Sequence, residues 1–149
     1  MHDFYKLSSL CYTHCGGDES VSSQELSHKL LFDLSKIGLP VDEVDIYLRP
    51  YSKTYYGRYF PTDDKGVKPK LYLYPFANTK GEFMDYSELL DTAIHEMCHH
   101  KQHTDSSFVR VKGVMHDSQF WKMYNYYIDK AKNLLGVKIY DKTLEEVYG

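Results

Sequence analysis

Two histidines four residues apart, with a glutamate directly after the first, are the side chains of this sequence best suited to chemistry. They stand in His95-Glu96-Met97-Cys98-His99, an H-E-x-x-H pattern. On an α-helix, positions four apart lie one above the other, so His95 and His99 would share a face and could grip one metal ion. Glu96 would lie beside them, within reach of a water at that metal.

That chemistry requires a helix, and the surrounding residues supply one. Leu89, Leu90, Ala93, Ile94, Met97 and Cys98 are apolar and recur at three- and four-residue spacing. No Gly or Pro interrupts the run from Asp85 to His103. Asp85 followed by Glu88 reads as a capping box that opens the helix. The apolar stripe through Leu90, Ile94, Met97 and Cys98 points away from the two histidines and predicts a core-facing side. Cys98 therefore reads as packing.

Two imidazoles do not complete a zinc site, which in a catalytic centre takes three protein ligands and leaves one position open. Four downstream residues compete for the third place. His116 follows His99 after sixteen intervening residues, at the start of another helix, and a loop can return it to the open side of the metal. Asp105 stands at a known third-ligand offset, but Gln102 occupies the position where that pattern needs Gly to turn the chain. His103 lies one turn further along the same helix, at strained reach. His100 points off the face. His116 is the favoured ligand.

The elements that must position these residues follow from the rest of the chain. Residues 4 to 12 carry apolar spacing at Phe4, Leu7, Leu10 and Cys11 and read as a short helix. A second helix starts at Ser22, with Glu25 completing a capping box, and shows a Leu26, Leu30, Leu31, Leu34, Ile37 stripe before Gly38 and Pro40 stop it. Val44 to Leu48, Thr54 to Phe60 and Lys70 to Phe76 read as strands. Gly57 in the second marks a bulge or a close approach, and Pro75 places the third at an edge or marks its end. As an edge, that third strand could pair with an extended substrate. A last helix starts at Asp117 or Ser118 and carries Phe120, Trp121, Tyr124, Ile128, Ala131, Leu134 and Leu135 to Gly136. Helix, three strands, helix, helix predicts an α+β domain: a small three-stranded antiparallel sheet packed against helices.

Composition bounds the rest. The 149 residues fit one domain, 1–149, able to bury a core unaided. A formal net charge of −3 gives no global attraction to nucleic acid or an anionic membrane. Lys101, Arg110 and Lys112 flank the histidines, and the balanced charge favours a solvated loop there. No long apolar segment marks a signal peptide or membrane span. Three cysteines do not make a disulfide framework and predict a reducing, cytoplasmic setting. Cys11 and Cys15 alone are weak grounds for a second metal site.

These motifs resemble those of the SprT-like zinc metallopeptidases, the superfamily that includes Spartan-type proteases. The resemblance runs through Gly38-Leu39-Pro40, Tyr55-Tyr56-Gly57-Arg58-Tyr59 and Leu71-Tyr72-Leu73. It is most specific in His95-Glu96-Met97-Cys98-His99 and in His116-Asp117-Ser118-Gln119-Phe120-Trp121. It covers roughly residues 22 to 130. It implies a zincin-like active-site helix, Zn2+ as cofactor, a third-ligand helix starting at His116, a protein or peptide substrate, and association with DNA. Many members carry a Cys-rich ribbon after the core; no such pattern follows His116 here, which weakens the DNA inference. Asp117 stands where the family often has a small residue, and it either orients His116 or caps the helix.

The expected reaction is peptide hydrolysis. His95, His99 and His116 hold zinc as neutral imidazoles, and the metal lowers the pKa of its water from 15.7 towards about 7. Glu96 is the general base. Tyr55, Tyr56 and Tyr124 are candidates for stabilising the oxyanion. The expected protein is a monomer without a membrane partner. Two alternatives stand beside this reading. One is a non-catalytic, zinc-stabilised binding module, with His103, Asp105 or Asp117 as fourth ligand. The other is a zinc hydrolase acting on a non-peptide substrate.

Overall fold

Leu26, Leu30, Leu34 and Ile37 recur at helical intervals and all are buried. They line the inner face of the first helix, α1 (Ser23–Lys36). The computed structural model describes residues 5–6, 23–49, 56–62, 65–74, 85–108 and 113–137. Helix α1 ends in a Schellman turn. Gly38 N–H donates to Ser35 O at 3.0 Å and Leu39 N–H to Leu34 O at 3.0 Å. Gly38 takes φ 96°, open to glycine at little cost. The capping box expected at Ser22 lies outside the described residues.

A single 3-10 turn, Val41–Glu43, leads into the sheet. The strands are β1 (Tyr5–Lys6), β2 (Asp45–Leu48), β3 (Gly57–Phe60) and β4 (Lys70–Leu73). Their order is β1-β2-β4-β3. Strand β2 runs parallel to β4, and β3 runs antiparallel to it. The sheet is therefore mixed, which corrects the antiparallel expectation. Strand β4 enters between β2 and β3, so the chain passes from β2 to the far edge before returning to the centre.

Two further expectations are corrected. Tyr5–Lys6 pairs with Leu48 and Tyr47 as a strand, where apolar spacing predicts a helix over 4–12. The third predicted strand is central and not an edge; it ends at Leu73, two residues before Pro75, which agrees with the other reading of the proline, as a mark of the strand's end. Among the described residues, the edge strand beside the histidines is β3.

The long helices are α2 (Tyr86–Thr104) and α3 (Ser118–Leu135). Alternate residues of β2 and β4, Ile46, Leu48, Leu71 and Leu73, turn inward onto the core side of α2, at Leu90, Ile94, Met97 and Cys98. Burial raises the Cys98 thiol pKa, as packing predicts. Two buried carboxylates tie the helices. Asp33 on α1 accepts from the Tyr86 hydroxyl at 2.6 Å, and Asp91 on α2 accepts from the Tyr124 hydroxyl on α3. Asp85 is the N-cap of α2 but makes no side-chain capping bond, so the predicted box does not form. No helix among the described residues is long and apolar enough to cross a membrane.

Candidate metal centre

His95 and His99 project from one face of α2, as the four-residue spacing requires, and both are buried. His116 arrives from the turn before α3. Asp117 begins that helix by accepting from Phe120 N–H at 2.9 Å, so its role is the cap. The three Nε2 atoms converge: 3.3 Å between His95 and His99, 3.1 Å between His99 and His116, and 3.2 Å between His116 and His95.

Those separations test the fit to a metal. Zinc–imidazole bonds of about 2.0–2.1 Å at tetrahedral angles place ligand nitrogens about 3.3–3.4 Å apart. The observed triangle is within a few tenths of an ångström of that edge. The protonation pattern agrees. Gln102 Oε1 lies 2.6 Å from His99 Nδ1 and can only accept, so Nδ1 carries the proton and the Nε2 lone pair faces the other rings. Burial, and next the two neighbouring imidazoles, push His95 far below its ordinary range; burial lowers His116 as well. Neutral rings with convergent lone pairs are what a metal requires. The three histidines are thus able to bind a metal ion.

Aromatic rings fix this arrangement from below. Phe120, fully buried, stacks on His99 at 4.7 Å between centroids and meets His95 at 5.0 Å edge-on. Trp121 lies 5.5 Å from His116. The Phe-Trp pair after His116 is therefore the floor of the site.

Glu96 stands beside the triangle, its Oε2 3.9 Å from His95 Nε2. Burial pushes its pKa up to about 8, with Arg58 acting the other way. The cavity over these groups is about 520 Å³ and adds Gly57, Arg58, Tyr59, Pro61, His103 and Met115 to its lining. Gly57 faces α2 so closely that a Cβ there would meet Glu96 Cγ and Thr92 Cγ2 at 2.9 Å. It is the close approach, with the ladder unbroken from Gly57 to Phe60.

Other candidates separate from the centre. The Asp105 carboxylate accepts from the Ser107 backbone N–H at 2.9 Å and from its hydroxyl at 2.7 Å; these bonds lower its pKa. His103 lies at the cavity rim against the Tyr59 ring, 5.6 Å between centroids. His100 turns away from the triangle, as expected, towards Glu43 and Tyr59. Among the described residues, only His95, His99 and His116 form a group able to hold a metal. Of the tyrosines considered for the oxyanion, Tyr124 is committed to Asp91, Tyr56 is exposed outside the cavity lining, and Tyr55 lies outside the described residues. Cys11, Cys15, Arg110 and Lys112 lie outside them too.

Gln102 is the residue that sequence reasoning passes over. It joins His99 to Met115 O, bonded at 2.8 Å through its own amide, and so ties α2 to the turn carrying His116. Its signal is the three-residue offset from His99. Neither a family model, nor a curated protein, nor a solved structure matches the chain.

Proposed function

We propose that this chain is a zinc-dependent metallopeptidase of the SprT-like kind. The observation that carries the proposal is the convergence of three imidazole Nε2 atoms at 3.1–3.3 Å with a buried carboxylate in the same cavity. His95, His99 and His116 would hold the metal. Zinc, when bound, supplies Lewis acidity and lowers the pKa of water towards about 7.

The chain's own groups handle position and protons. Glu96, beside the triangle in the same cavity, takes the proton of the attacking water and returns it to the departing amine. Among the described residues, the cavity opens over the triangle, with Gly57, Arg58 and Tyr59 of β3 in its lining, and Phe120 and Trp121 pack beneath the histidines. Strand β3 is the sheet edge bordering that opening, so an extended peptide can add to it as a further strand. This replaces the central β4 as the pairing strand. A protein or peptide substrate, a monomeric state and a cytoplasmic setting accompany this reading, while DNA association rests on the resemblance alone.

The test is cleavage of denatured casein by zinc-loaded protein. Hydrolysis should stop with a chelator and return with zinc. Glu96→Gln should keep its zinc and lose about 10²- to 10⁴-fold in rate, the usual contribution of a positioned acid–base group. Full activity in Glu96→Gln would remove Glu96 from the mechanism. Zinc without cleavage in the wild type would favour a structural metal in a binding module.

A further inference from the structure

We infer that Glu43, His100 and Tyr59 form a clasp that positions the β3 wall of the cavity for substrate. The inference rests on the hydrolase reading above.

His100 follows a metal-site histidine in sequence but serves another purpose. Its ring is 1% exposed, and both nitrogens are engaged. Nε2 lies 2.7 Å from Glu43 Oε1, and Nδ1 lies 2.8 Å from the Tyr59 hydroxyl. Three elements meet there: the 3-10 turn, α2 and β3. An apolar side chain would fill this buried position without the cost of burying polar atoms. What the imidazole adds is a fixed direction for two partners far away in sequence.

The directions of the bonds define what Tyr59 can do. An ionised carboxylate only accepts, so His100 Nε2–H donates to Glu43. In the neutral ring, Nδ1 then accepts from the Tyr59 hydroxyl. Burial, and next the Glu43 charge, push the Tyr59 pKa up to about 12, so the hydroxyl keeps its proton. Tyr59 is therefore held through its hydroxyl, with its ring as a wall of the cavity. Its ring lines the cavity next to His103, with Pro61 and Met115 also in the lining.

Glu43 and His100 are positioning residues that act through Tyr59. Holding the wall in place before substrate arrives lowers the ordering cost of binding. The effect should appear in KM and leave the chemical step unchanged. Glu43 is 56% exposed in its side chain, so replacing it opens no core cavity.

The experiment compares zinc-loaded wild type, Glu43→Ala, Tyr59→Phe and the double variant. It reads kcat and KM on fluorescein-labelled casein, and amide hydrogen exchange across Arg58–Phe60. Each single variant should raise KM about fivefold, the equivalent of one net hydrogen bond, with kcat kept within about twofold. The double variant should be no worse than either single one, because both break the same chain of bonds. Exchange in β3 should quicken in all three, with zinc content unchanged. Unchanged KM and exchange would overturn the clasp, as would additive effects or a fall in kcat alone. If wild type does not cleave casein, the hydrolase reading fails by itself, and the exchange data still decide whether the clasp exists.

Discussion

The cavity has two walls of unlike construction. The metal wall is built from His95 and His99 on α2 and from His116 just before α3. The facing wall is β3, which comes from about forty residues upstream and is held by its ladder with β4 and by contacts across to α2. At Gly57 it touches Glu96 and Thr92, and at Tyr59 it bonds to His100. The first wall carries the histidines able to bind a metal, with the Glu96 carboxylate beside them. The second sets the space in which they act. The contrast teaches that reactive groups can be placed by helical period, whereas the room around them depends on long-range packing.

The largest expected effect breaks the metal wall. Zinc sites of four ligands bind with about 10–16 kcal/mol, so losing one ligand costs on the order of 3 kcal/mol, roughly a hundredfold in affinity. His116→Ala should show that loss in a competition titration against a chelating dye, whereas Asp105→Ala should show none. The reverse outcome would move the third ligand to Asp105.

Breaking the facing wall should cost stability first. Gly57→Ala puts a methyl 2.9 Å from Glu96 Cγ and Thr92 Cγ2, and 3.3 Å from Tyr72 O. Overpacking of this kind costs about 1–3 kcal/mol, to be read from urea unfolding. Thr92→Ser in the same chain should not restore it, because the contact with Glu96 remains.

A smaller effect joins the walls' supports. Gln102→Ala frees His99 Nδ1 and the Met115 carbonyl, and zinc affinity should fall about tenfold, the lower end for a residue that orients a ligand. Equal affinity in wild type and variant would show that His99 needs no such orientation.

The smallest is a slope with pH in metal-stripped protein. Glu96 rises from an ordinary 4.5 to about 8 on folding. Between those values the folded carboxyl keeps a proton that the unfolded chain has released, so stability falls as pH rises and levels off above about 8. His95 and His116, lowered on folding, act oppositely: their contribution is present above the ordinary imidazole range and is lost as pH falls below it. Urea unfolding in chelator from pH 5 to 9 should show the histidine contribution in both wild type and Glu96→Gln, and the stability of wild type relative to Glu96→Gln should fall as pH rises to about 8.

Much of the metal wall is legible in the sequence. The H-E-x-x-H spacing needs only a helix, and the apolar period of Leu90, Ile94 and Met97 supplies it. His116 is legible as a histidine at a helix start, and Asp117 as its cap. Gln102 is visible by offset but reads first as a missing glycine. The facing wall is less legible. Alternating strands reveal which side chains turn inward, but not that β4 threads between β2 and β3. Pro75 reads equally as an edge or as the strand's end, and only the long-range pairing decides for the end. His100 can be seen to leave the metal face, while its partners lie 57 and 41 residues away and no local rule connects them. The same limit hides β1, where two residues of apparent helix pair with β2.

X-ray absorption at the zinc edge of the purified, zinc-loaded protein tests the centre most directly. The expected first shell is nitrogen and oxygen at about 2.0–2.1 Å, with outer-shell scattering from three imidazoles. A sulfur scatterer near about 2.3 Å, a fourth protein nitrogen, or failure to retain zinc would contradict a three-histidine centre with an open position.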